Sequence, residues 1–303
     1  MFNPIDFPLC LTFPSRLSIS PKSAWIEHIP FAFALVQMLQ PKCIVELGVQ
    51  FGDSFLAFCQ AVKTLGLETK CYGVDHWQGD QHAISCGPKE LDQLREYHDS
   101  HYGGFSRLVQ STFDQAAGNF PDGSIDLLHI DGYHTYEASC HDFETWQQKL
   151  NSRAVVLFHD TNVRERDFGV WRLWQELSAL FPHFEFLHGH GLGVLMFGPE
   201  APEAVFQLAE LQEPNAKIIR DFYFALGHGL ELSVYARCYQ NELVNTQNEL
   251  VKTKEDLTNC RNELVARQNE LEFIKNSRFW RIREALASTP GLKQIFKRFT
   301  RSK

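Results

Sequence analysis

Residues 44–54, which read Ile44-Val-Glu-Leu-Gly48-Val-Gln-Phe-Gly52-Asp-Ser54, predict the fold of this 303-residue chain. A short apolar run leads into a turn with two glycines, so we expect a buried strand, a tight turn and a helix that starts near Ser54. Gly48 would let a ligand approach the backbone, and Gly52 would permit the turn before the helix. The spacing is not GxGxxG and no Gly-Lys-Ser/Thr follows, which excludes a P-loop.

Short apolar runs alternate with amphipathic stretches across residues 30–200. The expected strands are 43–47, 71–75, 107–110, 125–131, 154–160, 184–188 and 194–197, and helices are expected at 51–65, 135–150 and 171–180. Strands that alternate with helices predict an α/β fold, here a doubly wound and mainly parallel seven-stranded sheet. The last two strands lie close together in sequence and predict a terminal antiparallel hairpin.

Asp75 ends the second expected strand, beyond the glycine turn. An ionised carboxylate only accepts hydrogen bonds, so at this place it can bind two ribose hydroxyls. The alternative is that Asp75 caps a local turn before His76 and Trp77. The long polar stretch 78–104 has little periodicity. It is predicted to be a lid or insertion on the side of the site where the second substrate, the acceptor, would bind.

Acidic and histidine side chains follow the fourth and fifth strands. Asp131 and His134 come after one strand, and His159 and Asp160 end the next. Ligands of open α/β sheets bind beyond the carboxyl ends of the strands, so these groups should face one crevice. Asp131 and Asp160 are candidate Mg²⁺ ligands, His134 is a candidate general base, and His159 is a second candidate catalytic residue or orients Asp160.

Four segments together resemble the class I S-adenosylmethionine-dependent methyltransferases: ELGVQFGDS (46–54), YGVDHW (72–77), IDLLHIDGYHTYEASCHDFETW (125–146) and VVLFHDT (155–161). More narrowly, they resemble bacterial sugar O-methyltransferases and cephalosporin-hydroxylase-like proteins. The resemblance implies S-adenosylmethionine as cofactor, with its methionine part at Glu46, Gly48, Gly52 and Ser54, its ribose at Asp75 and its adenine at Ser111. His159-Asp160 replaces the usual pair of adjacent acids, so an iron-type site stays an alternative.

The predicted activity is methyl transfer to a hydroxyl of a small molecule or glycan, most simply a sugar in bacterial polysaccharide or glycolipid assembly. The biosynthetic setting comes from resemblance, because the segment Ser277–Arg281 after a coiled coil resembles tails of bacterial polysaccharide-modifying enzymes. Two alternatives stay open. One is a non-catalytic coiled-coil scaffold for glycosyltransferases, and the other is a metal-dependent hydroxylase on the same fold.

The chain is predicted to have five parts: an N-terminal extension (1–29), the methyltransferase domain (30–200), a helical connector (201–235), a heptad coiled coil (236–275) and a basic amphipathic tail (276–303). The heptad leucines are Leu243, Leu250, Leu257, Leu264 and Leu271. The other seam position is expected to hold Gln247, Lys254, Arg261 and Gln268, which predicts a weak coil that joins copies of this chain or a partner helix.

The net charge of −8 is unevenly distributed. Residues 275–303 carry nine Lys or Arg against the single acid Glu284, so the remaining chain is strongly acidic. This argues against a nucleic-acid enzyme and favours contact of the tail with an anionic membrane or an acidic partner. The eight cysteines have no CxxC spacing, no run of eighteen apolar residues occurs, and no signal peptide is evident, so a cytoplasmic protein with a membrane-peripheral tail is expected.

Overall fold

Seven strands form one sheet in the computed structural model, which describes residues 23–79 and 87–289. The strands are β1 Cys43–Leu47, β2 Lys70–Asp75, β3 Ser106–Gln110, β4 Ile125–Ile130, β5 Leu150–His159, β6 His183–Phe186 and β7 Leu192–Met196. Their order is β3-β2-β1-β4-β5-β7-β6, and only β7 runs antiparallel to its neighbours. The predicted fold class and terminal hairpin are confirmed.

Helices cover both faces of the sheet. The helices of the described chain are α1 Ile29–Leu39, α2 Asp53–Leu65, α3 Pro88–Tyr102, α4 Phe113–Ala117, α5 Tyr136–Trp146, α6 Val170–Ser178, α7 Glu203–Ala209, α8 Asn215–Asn276 and α9 Arg278–Ser288. Successive side chains of a strand point to opposite faces, so Ile44 packs in the apolar cluster of α1 and α2 while Val45 packs in that of α5 and α6. Every residue of β4 is buried, as in a strand covered on both faces.

The N-terminal part of the described chain belongs to the core. A 3-10 helix, Ala24–His28, precedes α1, and Trp25, Ile26 and His28 in it are buried. The compact unit that contains the sheet extends through Cys238, so its limits differ from the predicted limits at 30 and 200. The first 22 residues of the predicted extension lie outside the described residues.

The stretch 78–104, predicted to be a lid or insertion with little periodicity, is a helix for most of its length. Residues 88–102 form α3, which buries Leu91, Leu94 and His98. A polar sequence with spaced apolar residues is also the pattern of a helix with one buried side. Packing of that side against the rest of the fold makes this stretch a helix rather than a loop. Residues 80–86 lie outside the described residues. Trp77 is 2% exposed, and its indole nitrogen donates to the Gln50 carbonyl, so it is held in the core.

Residues 239–303 form the second compact unit. Its described part consists of the later turns of α8 and of α9, which are separated at Ser277, and the five heptad leucines are exposed. Ser277 begins α9 by accepting a hydrogen bond from the Trp280 backbone nitrogen. Residues 290–303 of the predicted basic tail lie outside the described residues, so its membrane contact stays a prediction. Among the described residues, no helix combines the length and apolarity that a bilayer crossing requires.

Candidate active site

A cavity of about 800 Å³ lies at the carboxyl ends of the central parallel strands. Residues that follow β1, β2, β3, β4 and β5 line it, together with Trp25 from the N-terminal 3-10 helix. The chain reverses its direction across the sheet between β1 and β4, and such a switch point opens a crevice for ligands. A volume of this order accommodates a molecule of cofactor size.

The turn after β1 requires glycine at two places. Gly48 has φ +91°, and a Cβ there would lie 1.9 Å from the backbone oxygen of Asp131. Gly52 has φ +88° at the start of α2, and a Cβ there would lie 2.7 Å from Leu94. Both glycines line the cavity, as does Ser54. The turn therefore presses against the strand-four loop on one side and exposes its own backbone to the cavity on the other.

Asp75 holds the glycine turn in place. Its Oδ2 accepts hydrogen bonds from the backbone nitrogens of Val49 and Gln50, at 3.0 and 2.9 Å, and its Oδ1 accepts from Trp77 at 2.6 Å. A carboxylate has about four acceptor positions, so three donors leave about one for a ligand hydroxyl. Asp75 lines the cavity with its side chain 14% exposed. It is thus both a support of the turn and a candidate ribose ligand.

Glu46 does not reach the cavity. It is fully buried, and its Oε1 accepts from the Ser54 hydroxyl at 2.7 Å while its Oε2 lies 3.1 Å from Nδ1 of His129. The Trp25 indole donates to Nε2 of His129 at 3.1 Å, which places the proton of a neutral His129 ring on Nδ1, facing Glu46. Burial raises the pKa of Glu46. The predicted direct contact of Glu46 with the cofactor is replaced by a supporting position beneath the turn.

The strand-end groups meet as predicted. Nε2 of His134 lies 3.0 Å from Oδ2 of Asp160 and 3.5 Å from Oδ1 of Asp131. The ring stacks on Phe168, with centroids 4.8 Å apart, and the His134 carbonyl accepts from the backbone nitrogen of Gly169 at 2.8 Å. The carboxylates and Phe168 therefore fix the orientation of a ring that lines the cavity.

His159 lies on the inner side of the same cluster. Its Nε2 donates to the Gly189 carbonyl at 3.0 Å, and its Nδ1 lies 3.3 Å from Asp131 and 3.5 Å from Asp160. Because a carbonyl only accepts, Nε2 carries a hydrogen, and Nδ1 faces the carboxylates favourably only when it is protonated as well. The side chain is 6% exposed. This geometry favours a positioning role for His159, which the sequence analysis kept as an alternative.

The charges of the cluster are balanced. Burial alone would raise the pKa of Asp131 and Asp160, but the neighbouring His159 and His134 outweigh it and hold both values well below the usual range. Burial alone would lower the pKa of His134, yet the two carboxylates raise it to about 9. The same carboxylates raise the pKa of His159 well above its ordinary value. The carboxylates therefore favour the protonated rings, and the rings favour the ionised carboxylates.

The donor set also suits a divalent cation. The ligand atoms of Asp131, His134 and Asp160 all lie within 4.8 Å of one another. Carboxylate oxygens are ligands for Mg²⁺, and a mixed set of carboxylate and imidazole also suits transition metals. Because protonated rings already neutralise the carboxylates, a cation fits here when the rings release protons.

The loop after β3 lines the cavity with other residues than the sequence predicts. Ser111 does not line the cavity, and its hydroxyl donates to the Thr112 carbonyl at 3.0 Å. Thr112, Phe113 and Asp142 line this side instead. Thr112 also caps α4 by accepting from the Gln115 backbone nitrogen. The part of this loop that lines the cavity therefore begins one residue after Ser111, and the adenine contact stays a prediction.

Asp142→Asn is expected to remove a pH-dependent loss of stability. Burial raises the pKa of Asp142 to about 7, with His141 opposing and Asp114 adding to the shift. Between roughly pH 4 and pH 7 the folded chain keeps a proton that the unfolded chain has lost, so stability falls as pH rises. Three pKa units correspond to about 4 kcal/mol, an upper limit for the gain of the variant above pH 7.

Urea unfolding of the parent and the Asp142→Asn variant at about pH 4.5 and pH 8 measures this difference. Asp92→Asn, at an exposed position of α3, is the matched control and should follow the parent. Parallel pH dependence in all three proteins would contradict the prediction.

Sequence reasoning missed two residues of the site. His190, from the β6–β7 turn, lines the cavity with Nδ1 3.2 Å from Oδ1 of Asp160. The sequence HGHGLG (188–193) fits a lining of the crevice and a hairpin turn equally well, so it does not by itself assign His190 to the site. Trp25 lay in the part assigned to an extension, and its place above His129 depends on a contact across 104 residues. No local pattern reports such a contact.

Comparisons with known proteins show what parts of this chain are similar to. Residues 45–161 match a family model described as a methyltransferase domain. The uncharacterized protein y4gI of Sinorhizobium fredii (strain NBRC 101917 / NGR234) is 49% identical over 189 residues, which are 62% of this chain and 21% of that protein. The chain thus spans about a fifth of the length of this curated relative.

Among solved structures, a methyltransferase from Geobacter sulfurreducens is 16% identical, with a TM-score of 0.42, and the match covers 56% of this chain and 77% of that one. The SAH-bound methyltransferase PaMTH1 of Podospora anserina is 14% identical, with a TM-score of 0.37, over 70% and 69% of the two chains. The family match falls on β1 to β5 and on the glycine turn and strand-end cluster. Over residues 45–161, the chain is therefore similar to a methyltransferase domain.

Proposed function

We propose that this chain is an S-adenosylmethionine-dependent O-methyltransferase that acts on a sugar hydroxyl in bacterial polysaccharide or glycolipid assembly. The observation that carries the proposal is the position of His134. Its Nε2 lies between two carboxylates in the wall of the cavity that the glycine turn also lines. A proton-accepting group and a cofactor-binding turn therefore share one cavity, as methyl transfer to a hydroxyl requires.

The cofactor side of the proposal uses the first two strands. Gly48 and Gly52 expose the backbone of the turn, and Asp75 offers its remaining acceptor position to a ribose hydroxyl. Glu46 and Ser54 support the turn from below through their mutual hydrogen bond. When bound, S-adenosylmethionine supplies the electrophilic methyl group.

The acceptor side uses the strand-four and strand-five loops. His134 would take the proton that the acceptor hydroxyl loses when its oxygen receives the methyl group that bound S-adenosylmethionine would supply. Asp131 and Asp160 stabilise the protonated ring. Because the pKa of His134 is about 9, the neutral ring that accepts a proton becomes more abundant as pH rises above 7.

A divalent cation belongs to the proposal as an aid to the acceptor. Asp131 and Asp160 would hold it, and Mg²⁺ is the first candidate because both ligands are carboxylates. When bound, such a cation lowers the pKa of a hydroxyl that approaches it.

The polar acceptor side supports a sugar over an apolar substrate. Three histidines and two carboxylates line this part of the cavity: His134, His159, His190, Asp131 and Asp160. Several donors and acceptors in one wall suit a molecule with several hydroxyl groups. The sequence resemblance to sugar O-methyltransferases points to the same class. A metal-dependent hydroxylase is less favoured, because the compact metal set has one histidine and two carboxylates rather than the reverse.

Asp75→Asn is expected to weaken the binding of S-adenosylmethionine about 10- to 150-fold, since a hydrogen bond to a charged group contributes about 1.5–3 kcal/mol. Calorimetric titration of S-adenosylmethionine and S-adenosylhomocysteine, with and without Mg²⁺, measures the change. Asp122→Asn is the control, because Asp122 is 70% exposed and pairs with Lys149 at the surface. Thermal melts of both variants show whether the glycine turn survives. A parent protein that binds neither nucleoside would overturn the proposed function.

A further inference from the structure

The second unit presents a continuous apolar stripe. The heptad leucines of α8 are each more than half exposed, from 53% for Leu250 to 69% for Leu257. Nothing within residues 239–289 covers them in the described chain. Five leucines spaced by seven residues lie on one side of an α-helix, and this spacing is typical of a helix that packs along another helix.

The residues of a heptad are labelled a to g, and positions a and d form the seam between the two helices. The leucines fit position a better than position d. With leucine at position d, position a holds only glutamine, lysine and arginine. With leucine at position a, position d holds Thr246, Thr253, Cys260, Arg267 and Ile274. The second assignment places fewer charges in the seam. Its single charged member, Arg267, forms an ion pair of 3.1 Å with Glu270 on its own helix.

With leucine at position a, acidic and basic residues lie on opposite flanks of the seam, which are positions g and e. The g positions are all acidic: Glu242, Glu249, Asp256, Glu263 and Glu270. The e positions are basic or amide: Gln247, Lys254, Arg261, Gln268 and Lys275. The polar residues that the sequence analysis placed in the seam thus lie beside it. In coiled coils these two flanks select the partner and its direction.

The flanks are complementary to a second copy of the same helix. In a parallel, in-register pair, each g residue faces the e residue five positions later on the other helix. Glu249 then meets Lys254, Asp256 meets Arg261 and Glu270 meets Lys275, and the two other pairs join a glutamate to a glutamine. No like charges meet between the two flanks of residues 242–275, whereas within the seam Arg267 at position d faces Arg267 of the second copy. An antiparallel pair would instead set acidic flank against acidic flank.

We propose that residues 239–276 form a parallel, in-register, two-stranded coiled coil between two copies of this chain. The leucines at position a fill the seam, and the acidic and basic flanks fix direction and register. The threonines and Arg267 at position d make the seam weaker than an all-apolar one but restrict the register further. The proposal does not depend on the proposed enzymatic function.

Sedimentation equilibrium of the full chain tests the number of copies, with the parent expected at twice the mass of one chain. An acidic-flank variant carries Glu249→Lys, Asp256→Lys and Glu270→Lys, and a basic-flank variant carries Lys254→Glu, Arg261→Glu and Lys275→Glu. Each variant alone should dissociate at least about 100-fold more readily, because every attraction becomes a repulsion in both halves of the dimer. An equimolar mixture should restore the dimer, which also shows that both variants fold.

Cross-linking tests the direction. In a Cys260→Ser background, Ile274→Cys places a thiol at the end of the seam, next to its own copy only in the parallel pair. In an antiparallel pair the two thiols would lie about 45 Å apart, given a rise of 1.5 Å per residue. Mild oxidation should therefore link the Ile274→Cys chains through a reducible bond. A monomeric or trimeric parent, a mixture that stays monomeric, or an Ile274→Cys variant that does not cross-link would each overturn the proposal.

Discussion

His134→Ala is expected to lower kcat for methyl transfer by about 10²- to 10⁴-fold, the usual contribution of a general base. The ring is the candidate proton acceptor that two carboxylates and Phe168 orient toward the cavity. The formation of S-adenosylhomocysteine, measured with a panel of nucleotide sugars at about pH 8.5, reports this loss. The affinity for S-adenosylmethionine should stay within about threefold of the parent, because His134 lies on the acceptor side.

His183→Ala is the matched control for this experiment. His183 is exposed on β6 and does not line the cavity, so its removal should leave turnover within about twofold of the parent. A His134→Ala variant with parental turnover, or one that loses the affinity for S-adenosylmethionine as strongly as turnover, would contradict the assigned role. His134→Gln keeps a polar side chain of similar length and should be as inactive, since an amide does not accept a proton at this pH.

The central sheet could be predicted because its signals are local. Each parallel strand is a short apolar run next to a turn, and the chemistry-bearing residues stand at the strand ends, where topology brings them together. The contacts of His134 with Asp131 and Asp160 follow from that rule alone. Strand limits differ by a few residues. For example, β5 begins at Leu150 rather than at 154 because it also pairs with Ile125 across an irregularity.

Other features depend on distant contacts that local patterns do not report. Trp25 joins the site through His129, and His190 joins it because β7 returns beside β5. Glu46 was assigned to the cofactor from the resemblance, but the glycine turn folds over it and buries it. The polar stretch before β3 forms α3 because spaced side chains on one side of it pack inward, namely Leu91, Leu94, His98 and Tyr102. In each case the position of the residue or element depends on tertiary packing, which the local sequence does not determine.

Gly48→Ala is expected to destabilise the fold by about 2–5 kcal/mol. A positive φ costs an L-residue about 1–2 kcal/mol, and forcing an extra methyl into a packed position costs about 1–3 kcal/mol. Here the new Cβ would lie 1.9 Å from the Asp131 carbonyl oxygen, so the strand-four loop must move. Such a loss is a large fraction of the roughly 5–15 kcal/mol that stabilises a typical domain. Urea unfolding followed by circular dichroism measures it.

The Gly66→Ala variant distinguishes two costs of Gly48→Ala: the strain of a positive φ, and the steric overlap of the new Cβ with neighbouring atoms. Gly66 also has a positive φ, +65°, but a Cβ there meets nothing within 4 Å, so its loss should be limited to about 1–2 kcal/mol. Equal losses in the two variants would show that the contact between the turn and the strand-four loop is unimportant. A larger loss in Gly48→Ala means that one methyl displaces the backbone of Asp131, whose carboxylate contacts both His134 and His159. The cofactor turn and the acceptor cluster are then mechanically one unit, joined at a point where only glycine fits.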